Sequence, residues 1–202
     1  MTLRAAFVVL CLALPTIAQA ETASPSAVRA KIESVSANGD TLNVLSRTGE
    51  RKAVRLSDMT RYVLVVPASL ADVKPGAFIG VAAIPGEGEA LKALEVHVFP
   101  EAMRGQGEGL RPSDLAPGSS MTNGNVDARV DGVNGQTLTV SYRGGQQQVV
   151  VPRGTPIVGF DVGARSDLKP GAAIIARGPT LSDGSVNAAA VLVGKDGLTP
   201  PM

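Results

Sequence analysis

Asp72-Val73-Lys74-Pro75-Gly76-Ala77 and Asp167-Leu168-Lys169-Pro170-Gly171-Ala172 are two versions of one phrase, standing 95 positions apart. Proline then glycine suits the two central positions of a type II turn. Pro75 and Pro170 preset φ, and Gly76 and Gly171 accept a positive φ. A strand is expected directly after each turn, over 78–81 and 173–176, and a short helical turn before each, over 68–71 and 164–166. The copying runs outward from these phrases. Residues 60–98 match 155–193 without a gap, and two short gaps extend the match to 28–98 against 126–193. Asn38-Gly39 is matched by Asn134-Gly135, each followed by Thr-Leu-x-Val. Asn-Gly between alternating apolar segments signals a β-hairpin, because both residues tolerate positive φ. Arg47-Thr48-Gly49 and Arg143-Gly144-Gly145 mark a second turn, and last strands are expected over 94–98 and 189–193.

Each copy therefore reads as about five short strands with turn signals every 8–12 residues, the pattern of sandwiches and barrels. Five strands are too few for a sandwich with a thick core, and closure removes exposed edges. The expected fold is all-β, with two tandem five-stranded OB-like or SH3-like barrels at 28–98 and 126–193. Residues 99–125 (FPEAMRGQGEGLRPSDLAPGSSMTNGN) read as a Gly/Pro/Ser-rich linker that drapes over the barrels through Met103, Leu110, Leu115 and Met121. Residues 21–27 and 194–202 read as tails.

Met1 to Arg4 form a basic start, 5–14 an apolar run broken by Pro15, and Ala18-Gln19-Ala20 a small-residue cleavage site. This is the pattern of a secretory signal peptide at 1–20, cleaved near Ala20. The apolar run is half the length of a membrane span. Setting it aside removes the sole cysteine, Cys11, and one cation, Arg4, leaving equal numbers of Lys+Arg and Asp+Glu. A chain without cysteine has no disulfide scaffold, thiolate zinc site or cysteine nucleophile. Neutral balance argues against electrostatic nucleic-acid binding. The cations Arg47, Arg51, Lys52, Arg55 and Arg61 are diluted by Glu50 and Asp58, have only Tyr62 beside them, and read as a solvated strand face.

His97, the single histidine, follows Glu95 by two residues and so shares its strand face. With Glu101 and Glu108 the pair makes a weak candidate set for a divalent metal. One histidine without cysteine is poor equipment for a tight transition-metal site. The second copy has Ala190 and Leu192 at the matching positions. Gly105-Gln106-Gly107-Glu108-Gly109 has G-x-G spacing but no helix after it, so it reads as linker. No nucleophile–base pair stands out, and an enzyme is not expected.

The repeat, with its Asn-Gly hairpin and Asp-x-Lys-Pro-Gly turn, resembles the family of small secreted bacterial β-barrel domains of unknown function that occur in tandem. His97-Val98-Phe99-Pro100-Glu101-Ala102-Met103-Arg104-Gly105, with Gly107-Glu108-Gly109 and Met121-Thr122-Asn123, resembles a subgroup from soil and plant-associated proteobacteria. In that subgroup a His and a Trp commonly stand where this chain has Leu110 and Ser113, a departure that weakens the metal reading further. Members often carry the label of a metal ABC transporter permease. The residues do not support it, since a permease needs several spans. The resemblance implies a fold and a compartment, and no established activity.

The function expected is that of an exported, non-enzymatic binding or scaffolding module in the bacterial periplasm or beyond. Its partner would be an envelope protein or a glycan, with no nucleic acid and no membrane span in the mature chain. A periplasmic metal-handling accessory to a transporter and an oligosaccharide-binding protein are the alternatives.

Overall fold

The computed structural model describes residues 26–132 and 135–201. The expected leader and Asn134 lie outside them. More than half of the chain is strand, and among the described residues no helix reaches seven residues. The strands are β1 Ser26–Val35, β2 Thr41–Ser46, β3 Arg51–Arg55, β4 Arg61–Pro67, β5 Phe78–Pro85, β6 Leu91–Val98 and β7 Gly109–Pro112. They continue with β8 Ser120–Gly132, β9 Gly135–Tyr142, β10 Gly145–Pro152, β11 Ile157–Val162, β12 Ala173–Gly178, β13 Val186–Asn187 and β14 Ala190–Gly194.

Five of them close a barrel in the order β10-β9-β8-β5-β6, and β6 returns to β10 through the parallel pairs Val149–Leu91 and Val150–Lys92. Alternate residues point inward. Ile79, Val81, Val96, Val126, Leu138, Val140, Val149 and Val151 fill the interior with aliphatic side chains.

This closure corrects the expected domain boundaries. Strands β8–β10 come from the second copy and β5–β6 from the first, so neither 28–98 nor 126–193 closes a barrel on its own. The remaining strands repeat the exchange. β12-β1-β2-β3 continues to β13 through Val54–Val186 and Arg55–Asn187, the positions 95 away from the closing pairs of the barrel. They surround a second core of Ile32, Leu42, Val44, Val54, Ile174, Ala176, Val191 and Val193. In each half, β4 or β11 carries the chain across. These two strands pair antiparallel with Phe160 opposite Val65, themselves 95 apart, so an approximate twofold axis passes through that pair. β4 also runs parallel to β14, and β11 parallel to β6.

The first strands of the copies match differently from the sequence alignment. Both carry a bulge against the next strand, at Ile32/Ser34 and at Val126/Ala128. Ile32 therefore corresponds to Val126 and Ser26 to Ser120, where the alignment had put Val28 against Val126. A four-residue slip preserves the in–out alternation of a strand, so periodicity could not detect it.

The Pro-Gly turns form as expected. Gly76 has φ +83° and Gly171 φ +89°, and Ala77 and Ala172 N–H donate to Lys74 O and Lys169 O at 2.9 and 3.0 Å. Helical turns of 3-10 type precede them at Leu70–Asp72 and Arg165–Asp167. Ser69 caps the first by accepting from Ala71 N–H, and Asp72 accepts from Ser69 N–H. The Asn38-Gly39 hairpin differs in detail. Gly39 takes φ +74° and donates to Ser36 O, whereas Asn38 does not enter the positive region and its side chain donates to Asp40. The loop is a longer one than the two-residue type. Gly135 opens β9 at φ +145°.

The expected linker is built into the fold. Residues 99–125 hold a 3-10 turn at Glu101–Met103, β7 paired with β8, and the first six residues of β8 itself. Arg104 ties it down, donating to Glu101, to Asn125 Oδ1 at 2.6 Å and to Gly76 O at 2.9 Å.

Candidate functional site

Glu95 and His97 sit on β6, facing away from the barrel interior toward the seam of β4 and β11. Both are 2% exposed, the only charged or imidazole side chains in the buried set. His97 Nε2 lies 3.0 Å from Glu95 Oε1, an ion pair whenever the imidazole carries two protons. The oxygen is off the ring N–H direction, so the contact is an ion-pair contact and not an aligned hydrogen bond.

The space around His97 exists because β5 has glycine at position 80. A Cβ there would stand 2.8 Å from Asn123 Oδ1, 3.2 Å from Phe99 and 3.5 Å from His97 Nδ1. The second copy has buried Ile175 at this point. Asn123, on β8, is 3% exposed and donates through Nδ2 to Gln106 O at 2.9 Å, while its Oδ1 has no partner. The glycine run thus has a structural role: Gly105 and Gly107 adopt positive φ, and the loop is held by Asn123 and by Arg111, whose Nη1 donates to Gly107 O at 2.7 Å.

Aromatic side chains gather here instead of filling the barrels. Phe78 meets Phe99 edge-on at 5.3 Å, Phe99 meets Phe160 at 5.0 Å, and Phe160 lies 5.1 Å from the His97 ring. Three of the four phenylalanines in the chain are in this one chain of contacts. Val65, Val158, Ile175 and Leu192 form a small apolar floor beside them on the seam.

Over that floor lies an open pocket of about 690 Å³, within the usual range for small-molecule sites. His97, Phe99, Asn123, Phe160 and Leu192 line its base, and Arg111, Asp114, Met121 and Arg177 its rim. Asp114 is engaged by Arg29 at 3.2 Å. Burial opposes ionisation of Asp114, but the hydrogen bond and charge of Arg29 hold its carboxyl below the ordinary range. Burial, then the like charge of Arg177, lowers the pKa of Arg111.

The four metal candidates are not assembled. Glu95 and His97 are together, but Glu101 accepts from Arg104 at 2.6 and 2.7 Å and Glu108 accepts from Arg143 N–H at 2.9 Å. Among the described residues no three His, Cys, Asp or Glu side chains converge. No helix among them is long and apolar enough to cross a membrane.

Sequence reading found His97 and Glu95 but not Phe99, Phe160, Asn123, Arg111 or Arg177. The signal available was the contrast between the copies: Gly80 against Ile175, His97 against Leu192, Phe160 against Val65. Compared with protein-family models, curated proteins and solved structures, the chain matches none.

Proposed function

We propose that the protein is an exported, non-enzymatic binding module of the bacterial cell envelope, built from two OB-like units that exchange strands between the copies, and that it holds a small ligand in the seam pocket. One observation carries this reading. Asn123, which lines the pocket beside His97, keeps an acceptor, Oδ1, that is buried and unpartnered. Such an atom costs about 1–3 kcal/mol when nothing satisfies it, and a bound molecule reaching the base of the pocket would satisfy it.

The binding role is supported over catalysis by what surrounds the imidazole. Ser113 also lines the pocket, but its hydroxyl accepts from Leu115 N–H, and among the described residues none of its hydrogen bonds goes to His97. A nucleophile needs that contact to be activated.

The single histidine makes the test direct, because its imidazole resonances belong to one known residue. The full chain is titrated with a mixed set of small organic acids, amines, phenols and sugars. At least one class should shift the His97 resonances, and Met121→Trp, which fills the pocket, should abolish the shift. Binding that leaves His97 unmoved, or a turnover lost in His97→Ala, would overturn the reading.

A further inference from the structure

The rim of the pocket carries more positive charge than the fold consumes. Arg29 and Asp114 neutralise each other at 3.2 Å. Arg111 spends one nitrogen on Gly107 O, and among the described residues Arg177 has no hydrogen-bond partner for its guanidinium. Arg177 lies close enough to disfavour the charge of Arg111, after burial. Arg111 and Arg177 share the pocket with one carboxylate, Asp114, which is already held by Arg29, so the rim keeps a positive excess that a bound anion would offset, and a guanidinium pair suits the two oxygens of a carboxylate. Beneath the rim the walls change character. Phe99 and Phe160 offer an edge and a face, with Leu192 and Met121 beside them. Deeper still, Asn123 Oδ1 is an acceptor without a donor, its amide nitrogen being committed to Gln106 O.

These three layers read from top to base as a molecule would be held: anion, flat apolar body, hydrogen-bond donor. We infer that the seam pocket takes a small aromatic carboxylate bearing a hydroxyl or amino group at the far end. The carboxylate bridges Arg111 and Arg177, the ring packs against the wall that Phe99 and Phe160 form together, and the donor reaches Asn123 Oδ1. The inference rests on the pocket being a ligand site and adds the class of ligand.

The test uses the full chain with three probes: 4-hydroxyphenylacetate, its neutral alcohol 4-hydroxyphenethyl alcohol, and inorganic phosphate. Affinity is read by calorimetry and location by the His97 imidazole resonances. The acid should bind and shift His97, and the alcohol should bind at least about tenfold more weakly, the worth of a charge-assisted contact. Arg111→Gln and Arg177→Gln should each remove that advantage, and Arg177→Gln, which breaks no hydrogen bond of the fold, should do so without lowering the thermal midpoint. Rising salt should weaken the acid alone. Phosphate should fail to shift His97, since it has no ring to carry to the base. Acid and alcohol binding equally, with both shifting His97, would overturn the anion assignment and leave the pocket reading standing. An acid that leaves His97 unmoved overturns the inference. If the alcohol also leaves it unmoved, the pocket reading is weakened with it.

Discussion

Cutting the chain between its copies is the most severe test of the exchanged topology. Fragments 26–118 and 119–201 each keep one copy intact, so self-contained barrels would survive the cut. In the exchanged arrangement they cannot. The cut separates β5 from β8, β1 from β12, β6 from β10 and β3 from β13, and it divides the seam between β4 and β11. The core around Ile32 and Ile174 draws seven buried side chains from each copy, from Val28 to Leu56 and from Leu168 to Val193. Leaving seven aliphatic side chains half-uncovered costs roughly 1 kcal/mol each, so on the order of 7 kcal/mol for this core alone. A folded domain has about 5–15 kcal/mol in total. Each fragment alone should therefore be unfolded, or dimeric by lending β-strands to a second copy of itself. Equal mixing should restore a one-to-one complex of native spectrum. Circular dichroism, urea titration and light scattering after size exclusion read all three outcomes. A monomeric fragment that unfolds cooperatively with the midpoint of the intact chain would refute the exchange.

Three further outcomes follow from particular contacts. His97→Ala strands Glu95 at 2% exposure and should lower stability by about 3 kcal/mol, whereas Glu95→Met with His97→Leu, the leucine that stands at 192, should restore most of it. Urea midpoints of the singles and the double decide; a double mutant as unstable as the sum of the singles refutes it. Gly76→Ala and Gly171→Ala place a side chain at φ +83° and +89° in open space, so the loss is backbone strain alone, about 1–2 kcal/mol at either site. Ser185, through its hydroxyl and its N–H, then Arg55, holds the Asp183 carboxyl below its ordinary range. A depressed carboxyl stabilises above its unfolded value and loses that contribution as pH falls through the folded one. Asp183→Asn should therefore be less stable than wild type at pH 7, and the gap should close as pH drops below about 4; a gap independent of pH refutes the role.

The strands and turns were legible because their signals are local. Pro75-Gly76 and Pro170-Gly171 state their turn in two residues, and Gly39 and Gly49 mark theirs by the φ they must adopt. Strand partnership was not legible, for a physical reason. β5 and β12 present the same inward residue at Ile79 and Ile174, so β1 and β8 face equivalent surfaces whichever copy supplies them. Self-pairing and exchange differ little in contact chemistry; the direction taken by β4 and β11 separates them. The linker was misread by composition. Its glycines serve tight turns around Asn123 and Arg111, and Ser120 to Asn125 form a strand paired with β5 and β7 although they look like loop residues.

The way the two copies differ is itself an argument about where function lies. Core positions keep their character across the repeat: Leu42 and Leu138, Val44 and Val140, Val96 and Val191 all point inward and are buried. Seam positions do not. Gly80 faces Ile175 across the axis, His97 faces Leu192, Phe160 faces Val65, and Asn123 occupies the place of Arg29. A pocket on a twofold axis receives both copies of every lining position, so a symmetric chain would crowd it with duplicate side chains. Replacing one member of each pair creates room, polarity and an aromatic wall on one side while the apolar floor remains on the other. The barrels need neither Glu95 nor His97, since their equivalents are a half-buried Ala190 and a buried Leu192. Buried groups that the fold does without, concentrated where the symmetry is broken, are the reason the proposed binding site is set at the seam and not on the barrel faces.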